Sequence, residues 1–160
     1  MELVNVKIRR YPDLIKGIVI MRNTQWLVLA ENVVDYVLDG FLFINHDYIQ
    51  NVIVYPHDTI EYKVLSIKKS PDLIFPNIEG YSDLIEYLKG NSVLIAIGRH
   101  KQNSILVGYV ADFNKEAFSL IPIGVDLQEL PIVKINYKQI RYISVMSDYL
   151  TSISNYLSKK

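Results

Sequence analysis

Residues 42–52 read LFINHDYIQNV, and residues 133–143 read VKINYKQIRYI. Laid on each other, Ile44 meets Ile135, Asn45 meets Asn136 and Ile49 meets Ile140. One constant offset of 91, without gaps, carries the match outward: Leu3 falls on Leu94, Gly17 on Gly108, Val19 on Val110, Asn23 on Asn114 and Val54 on Val145. Over residues 15–54 about a quarter of positions are identical. Internal similarity at a fixed spacing marks duplicated structural units. The chain is therefore expected to hold two modules, 1–54 and 92–145, with a linker strand and short helix at 55–91 and a C-terminal helix at 146–160.

Each module reads as strands. Val4, Val6 and Ile8 alternate with Asn5, Lys7 and Arg9, the period of a half-buried strand. Further strands are expected at 15–22, 25–30, 41–45 and 51–54, and at the positions 91 residues on. Turn residues separate them: Tyr11-Pro12-Asp13, Asn23-Thr24, Asp39-Gly40, Asn114-Lys115 and Leu130-Pro131. Five short strands in so few residues make a small barrel or a strongly bent sheet. A unit of that size is marginal alone, so the modules should pack on each other or on flanking elements. Residues 60–67 read as a strand. Ser82 is a plausible N-cap for a helix with Leu84, Ile85 and Leu88 on one face, and Ser147-Asp148 opens another carrying Leu150, Ile153 and Leu157. That last helix is expected to cover module one or the junction, its closing Lys159-Lys160 suiting the negative end of the helix dipole.

The segment Val107-Gly108-Tyr109-Val110-Ala111-Asp112-Phe113-Asn114 resembles the first motif of Sm/LSm-type small barrels, and residues 17–23 form a weaker copy. Residues 133–143 are similar in spacing to the second motif. Patterns such as DYVLDGFLFIN and VGYVADFN also look like bacterial proteins of no assigned activity. The resemblance implies a mainly β fold of two tandem five-stranded Sm-like or SH3-like barrels, each with a short helix. It also implies what is missing. The Arg-Gly of the second motif, which in that family helps line an RNA base pocket, is replaced by Asn136-Tyr137 and Asn45-His46, and the first motif's RNA-facing Asn by Phe118 and Leu27. Uridine binding of the Sm type is accordingly not expected.

Seventeen basic and seventeen acidic residues cancel in the 160-residue chain, so any pull on nucleic acid or membrane must be local. The absence of cysteine excludes disulfides, thiolate-held metals and Cys nucleophiles. The residues from Met1 to Lys7 lack a signal-peptide layout, and Glu31, Asp35 and Asp39 break the most apolar stretch, so a cytoplasmic protein without membrane contact is expected. His46-Asp47 and His57-Asp58 read as turn pairs rather than metal or acid–base sites. No phosphate loop or nucleophile elbow occurs. Neither an enzyme, a cofactor nor a metal is expected.

The reading is a non-enzymatic interaction module with a protein partner, bound on a sheet edge or on a face bearing Tyr36, Tyr48, Tyr109, Tyr137 and Tyr142. The alternative is a nucleic-acid-binding pair using basic turns. Arg9-Arg10 aligns with His100-Lys101, with Lys7 and Arg99 nearby, so both modules carry positive charge between strands one and two.

Overall fold

The computed structural model describes residues 1–68, 75–101 and 104–159. Part of the expected 55–91 linker, residues 69–74, and the closing Lys160 lie outside them. The protein is mainly β. The strands are β1 (Leu3–Ile8), β2 (Ile15–Arg22), β3 (Trp26–Val34), β4 (Val37–Asn45), β5 (Ile49–Val54), β6 (Ile95–Arg99), β7 (Ile105–Phe113), β8 (Ala117–Pro122), β9 (Val133–Asn136) and β10 (Ile140–Val145). They form one antiparallel sheet of order β5-β1-β2-β3-β4-β10-β6-β7-β8-β9, not closed on itself.

Pairing in the second half follows that in the first at the sequence offset. Val4 faces Gly17 and Ile95 faces Gly108. Trp26 faces Asn45 and Ala117 faces Asn136. The bulge between Val19 and Met21 recurs between Val110 and Asp112. Both glycines are demanded by close approach: a Cβ on Gly17 would lie 2.5 Å from the Ala30 carbonyl oxygen, and one on Gly108 would lie 2.3 Å from that of Ile121. The turn between β3 and β4 falls earlier in the chain than Asp39-Gly40. It uses Asp35, at φ 43°, and the Asn32 amide donates to the carbonyls of Asp35 and Val37 across it. Asp39 and Gly40 lie inside β4, where Gly40 (φ 73°) makes room for the backbone of Val145 and Ser147.

The two halves meet where β4 pairs with β10: Phe41 with Val145, Leu42 with Ser144, Phe43 with Ile143 and Ile44 with Tyr142. This seam places Phe43, Ile143, Val28, Ile97 and Phe118 in one continuous buried cluster. The helix α2 (Tyr81–Gly90) seals that face with Leu84, Ile85 and Leu88. It begins at Tyr81, with Gly80 as its N-cap, two residues earlier than a Ser82 cap would place it. The Asp83 carboxylate accepts from the backbone N–H of Glu79 and Gly80 instead. The opposite face of the first half holds Val4, Val6, Leu27, Leu29, Leu42 and Tyr142. β3 is thus buried on both sides, which explains its unbroken run of apolar residues from Trp26 to Ala30.

Residues 60–67 are not a strand. They form the helix α1 (Ile60–Ile67), whose N-cap Thr59 accepts from the N–H of Tyr62. The alternation in this segment finds no partner strand, and the hydroxyl cap with Leu65 turned into the core settles it as a helix. The last helix, α3 (Asp148–Ser158), is capped by Ser147, as the sequence suggests. Its body lies on the second half, with Leu150 and Ile153 against Leu94, Ala96 and Val107. Its N-terminus reaches the junction, where the Asp148 N–H donates to Asp39 at 2.7 Å. Helix α3 therefore covers the second half and the junction, not the first half.

Removing everything after Val145 uncovers Leu94 and Ala96 and exposes the end of the seam. With two aliphatic side chains lost from burial at roughly 1.5–3 kcal/mol each, the truncated protein should melt roughly 10 °C lower in a thermal denaturation scan. An unchanged melting temperature would show that α3 is an ornament on the fold.

Candidate functional site

Two features stand out once the sheet is assembled: its open ends and one basic corner. The ends are β5 and β9, each with a neighbouring strand on one side only among the described residues. At the central seam the paired positions are dry: Phe41 is 6% exposed and Val145 0%. Their counterparts at the offset of 91 are Ile132 and Val54, and these are 62% and 54% exposed. Ile53, the counterpart of Ser144, is 51% exposed. The open ends thus present apolar side chains at the positions that are covered at the seam.

The seam has polar locks as well. Asn45 is fully buried. Its Oδ1 accepts from the Asp47 N–H and the Gln25 amide, and its Nδ2 donates to the Tyr81 hydroxyl and, across the seam, to the Ile140 carbonyl at 2.8 Å. The Tyr48 hydroxyl donates across the same seam to the Lys138 carbonyl. Asn136 repeats the first half of this device: its Oδ1 accepts from the Lys138 N–H, as that of Asn45 accepts from Asp47. Asn136 is exposed at the open end. Asn45 and Asn136 both act as turn caps, and Asn45 is also a seam contact. Tyr137 is likewise core, its hydroxyl donating to the Asn114 carbonyl at 2.6 Å and its ionisation pushed up to about 12 by burial.

The basic corner contains all four residues singled out in the sequence. Arg10 (φ 58°) and Lys101 (φ 66°) take matching left-handed positions in their turns. The backbone N–H groups of Arg9 and His100 donate to Tyr48 and Gln139 respectively, again 91 residues apart. The structure brings the two turns together. Arg9 lies 4.8 Å over the Tyr48 ring, and the His100 ring is centred 5.4 Å from the same tyrosine. Arg141, buried beneath, donates through Nη1 to the Arg10 carbonyl at 2.8 Å. Desolvation and then the charges of Arg10, Lys101, Arg9 and Arg141 hold the His100 imidazole below its ordinary value. An anion entering this corner would reverse the charge contribution and raise it.

Other aromatic and imidazole side chains resolve into structure. Trp26 is fully buried, with its indole N–H on the Gly80 carbonyl and its ring edge-on to Phe43 and Tyr81. Of the tyrosines proposed for a contact face, Tyr48, Tyr137 and Tyr142 are buried. The Tyr81 hydroxyl is pushed up to about 12, chiefly by burial. His57 stacks on Tyr62 at 4.4 Å. Among the described residues no three His, Asp or Glu side chains gather where they could hold a metal ion, and no helix is long and apolar enough to cross a membrane.

No family model, curated protein or solved structure matches this chain.

Proposed function

We propose that this protein is a non-enzymatic interaction module, built of two small Sm-like or SH3-like units, whose protein partner is a second copy of itself joined strand to strand. The observation that carries this reading is the mismatch in exposure between the central seam and the open ends. A β4-type edge already receives a β5-type edge inside the chain. The same two kinds of edge stand free at β9 and β5.

Copying the internal register predicts the contact. Ile132 would face Val54 of the next copy, Val133 would face Ile53, Lys134 would face Val52, and Ile135 would face Asn51. Asn136 would place its amide on the next copy's Ile49 carbonyl, as Asn45 does on Ile140. The contact joins unlike surfaces, so it is heterologous and repeats into a ring or an open chain. Its strength is modest. Ile132, Ile53 and Val54 each gain about half of the roughly 1.5–3 kcal/mol of full burial. About four backbone hydrogen bonds add roughly 1 kcal/mol apiece. Association costs about 4 kcal/mol or more in lost freedom, so assembly should depend visibly on concentration.

Sedimentation equilibrium reads this directly. The wild-type mass should climb above the 18.5 kDa of one chain as concentration rises. Ile53→Lys combined with Ile132→Lys should hold it at one chain without lowering the melting temperature, since exposed substitutions change stability by about 0.5 kcal/mol or less. A wild type that remains a single chain at its solubility limit would exclude self-pairing.

The convergence of the two turns favours a second reading, in which the corner of Arg9, Arg10, His100 and Lys101 takes an anionic strand such as nucleic acid. Three standing cations, Arg9, Arg10 and Lys101, facing an anion give a salt-dependent contact, while apolar edge pairing does not. Changing all four to Ala should abolish DNA and RNA binding in a titration at two salt concentrations, with the fold intact. Equal binding by the quadruple variant would leave the corner as a solvated loop end.

A further inference from the structure

A cavity of about 420 Å³ opens at the junction, between the β4–β10 seam and the start of α3. Its walls are mostly apolar, among them Leu42, Tyr142 and Leu150, and Tyr11 stands at its side. Two carboxylates also line it, Glu31 from β3 and Asp39 from β4. Asp39 already accepts from the first N–H of α3. Glu31 has no such support. Among the described residues the one ion pair is Arg22 with Glu2, remote from this cavity. A carboxylate in an apolar wall beside a second carboxylate is costly unless a cation joins it.

We propose that this cavity binds a small organic cation, an ammonium group on an apolar body, with the charge between Glu31 and Asp39 and the body against Leu42, Tyr142 and Leu150. The volume lies within the range of small-molecule sites, toward its lower end, which suits a ligand of one ring or a short alkyl chain. The sign of the charge rules out carboxylates and phosphates. An apolar alcohol would fill the same space without meeting the two acids. In agreement, burial and then the neighbouring Asp39 raise the Glu31 carboxyl above its ordinary value, and no cation opposes them. The site is independent of the proposed edge pairing, because none of its residues lies on β5 or β9.

The test is an amide NMR titration of the full chain carrying Ile53→Lys and Ile132→Lys, with phenethylamine and phenethyl alcohol as probes. Phenethylamine should give saturable shifts at Leu42, Ala96 and Ser144. The alcohol should bind at least about tenfold more weakly. Glu31→Gln should weaken the amine by about tenfold or more while melting no lower than its parent, since it removes an unsupported acid. Should Glu31→Gln fail to fold, Asp39→Asn reads the same loss. Equal binding of amine and alcohol, retention of amine binding in both variants, or no saturable shift at millimolar amine would overturn the proposal.

Discussion

The pairing of β4 with β10 is the contact on which the rest of the molecule depends. Four residue pairs, from Phe41–Val145 to Ile44–Tyr142, turn two runs of five strands into one sheet. Without them each run would carry a second unpaired edge, at β4 or β10, and a core too small to stand alone. With them, Phe43 and Ile143 join side chains from β3, β6 and β8 in a single cluster, and α2 closes it. On its other side β10 pairs with β6 and sets Tyr142 over Gly98, where a Cβ would lie only 2.3 Å from the ring, which is why a residue without a side chain stands there.

The seam has a consequence for the surface. An antiparallel sheet that grows by a repeated edge-to-edge contact must end somewhere, and its ends keep the chemistry of the contact. Here those ends retain Ile132 and Val54 at positions that are buried in the centre, with Ile53 exposed beside them. The basic corner arises from the same geometry. Tyr48, in the turn following β4, reaches across to Lys138 in the turn before β10 and stands between Arg9 of one turn and His100 of the other. Neither turn alone gathers this much positive charge.

Much of the strand pattern is written locally. Alternation marks β1 and β6, and the spacing of Gly17 and Gly108 marks where β2 and β7 press on a neighbouring backbone. Ser147 and the apolar stripe after it specify α3. Other parts depend on what lies across the fold. The segment Ile60–Ile67 alternates like a strand but pairs with none, and the Thr59 cap starts a helix that turns Leu65 into the core. The turn at Asp35 is hidden because the Asp-Gly pair downstream is the stronger local signal; Gly40 answers to the close passage of β10, not to a turn. Asn45 and Asn136 are visible as a repeated residue, but their task across the seam needs the register of β10. The cavity at the junction is invisible in sequence, since Glu31, Asp39 and Leu150 come from three separate elements.

The most direct measurement uses the absence of native cysteine. Two single variants, Val133→Cys and Ile53→Cys, are mixed and oxidised gently, and the products are resolved by mass. Self-pairing in the internal register sets these residues opposite each other in neighbouring copies, within reach of a disulfide. The mixture should give a crosslinked dimer carrying one chain of each kind, and each variant alone should remain largely uncrosslinked. Crosslinking that is no greater in the mixture than in either variant alone would contradict the account.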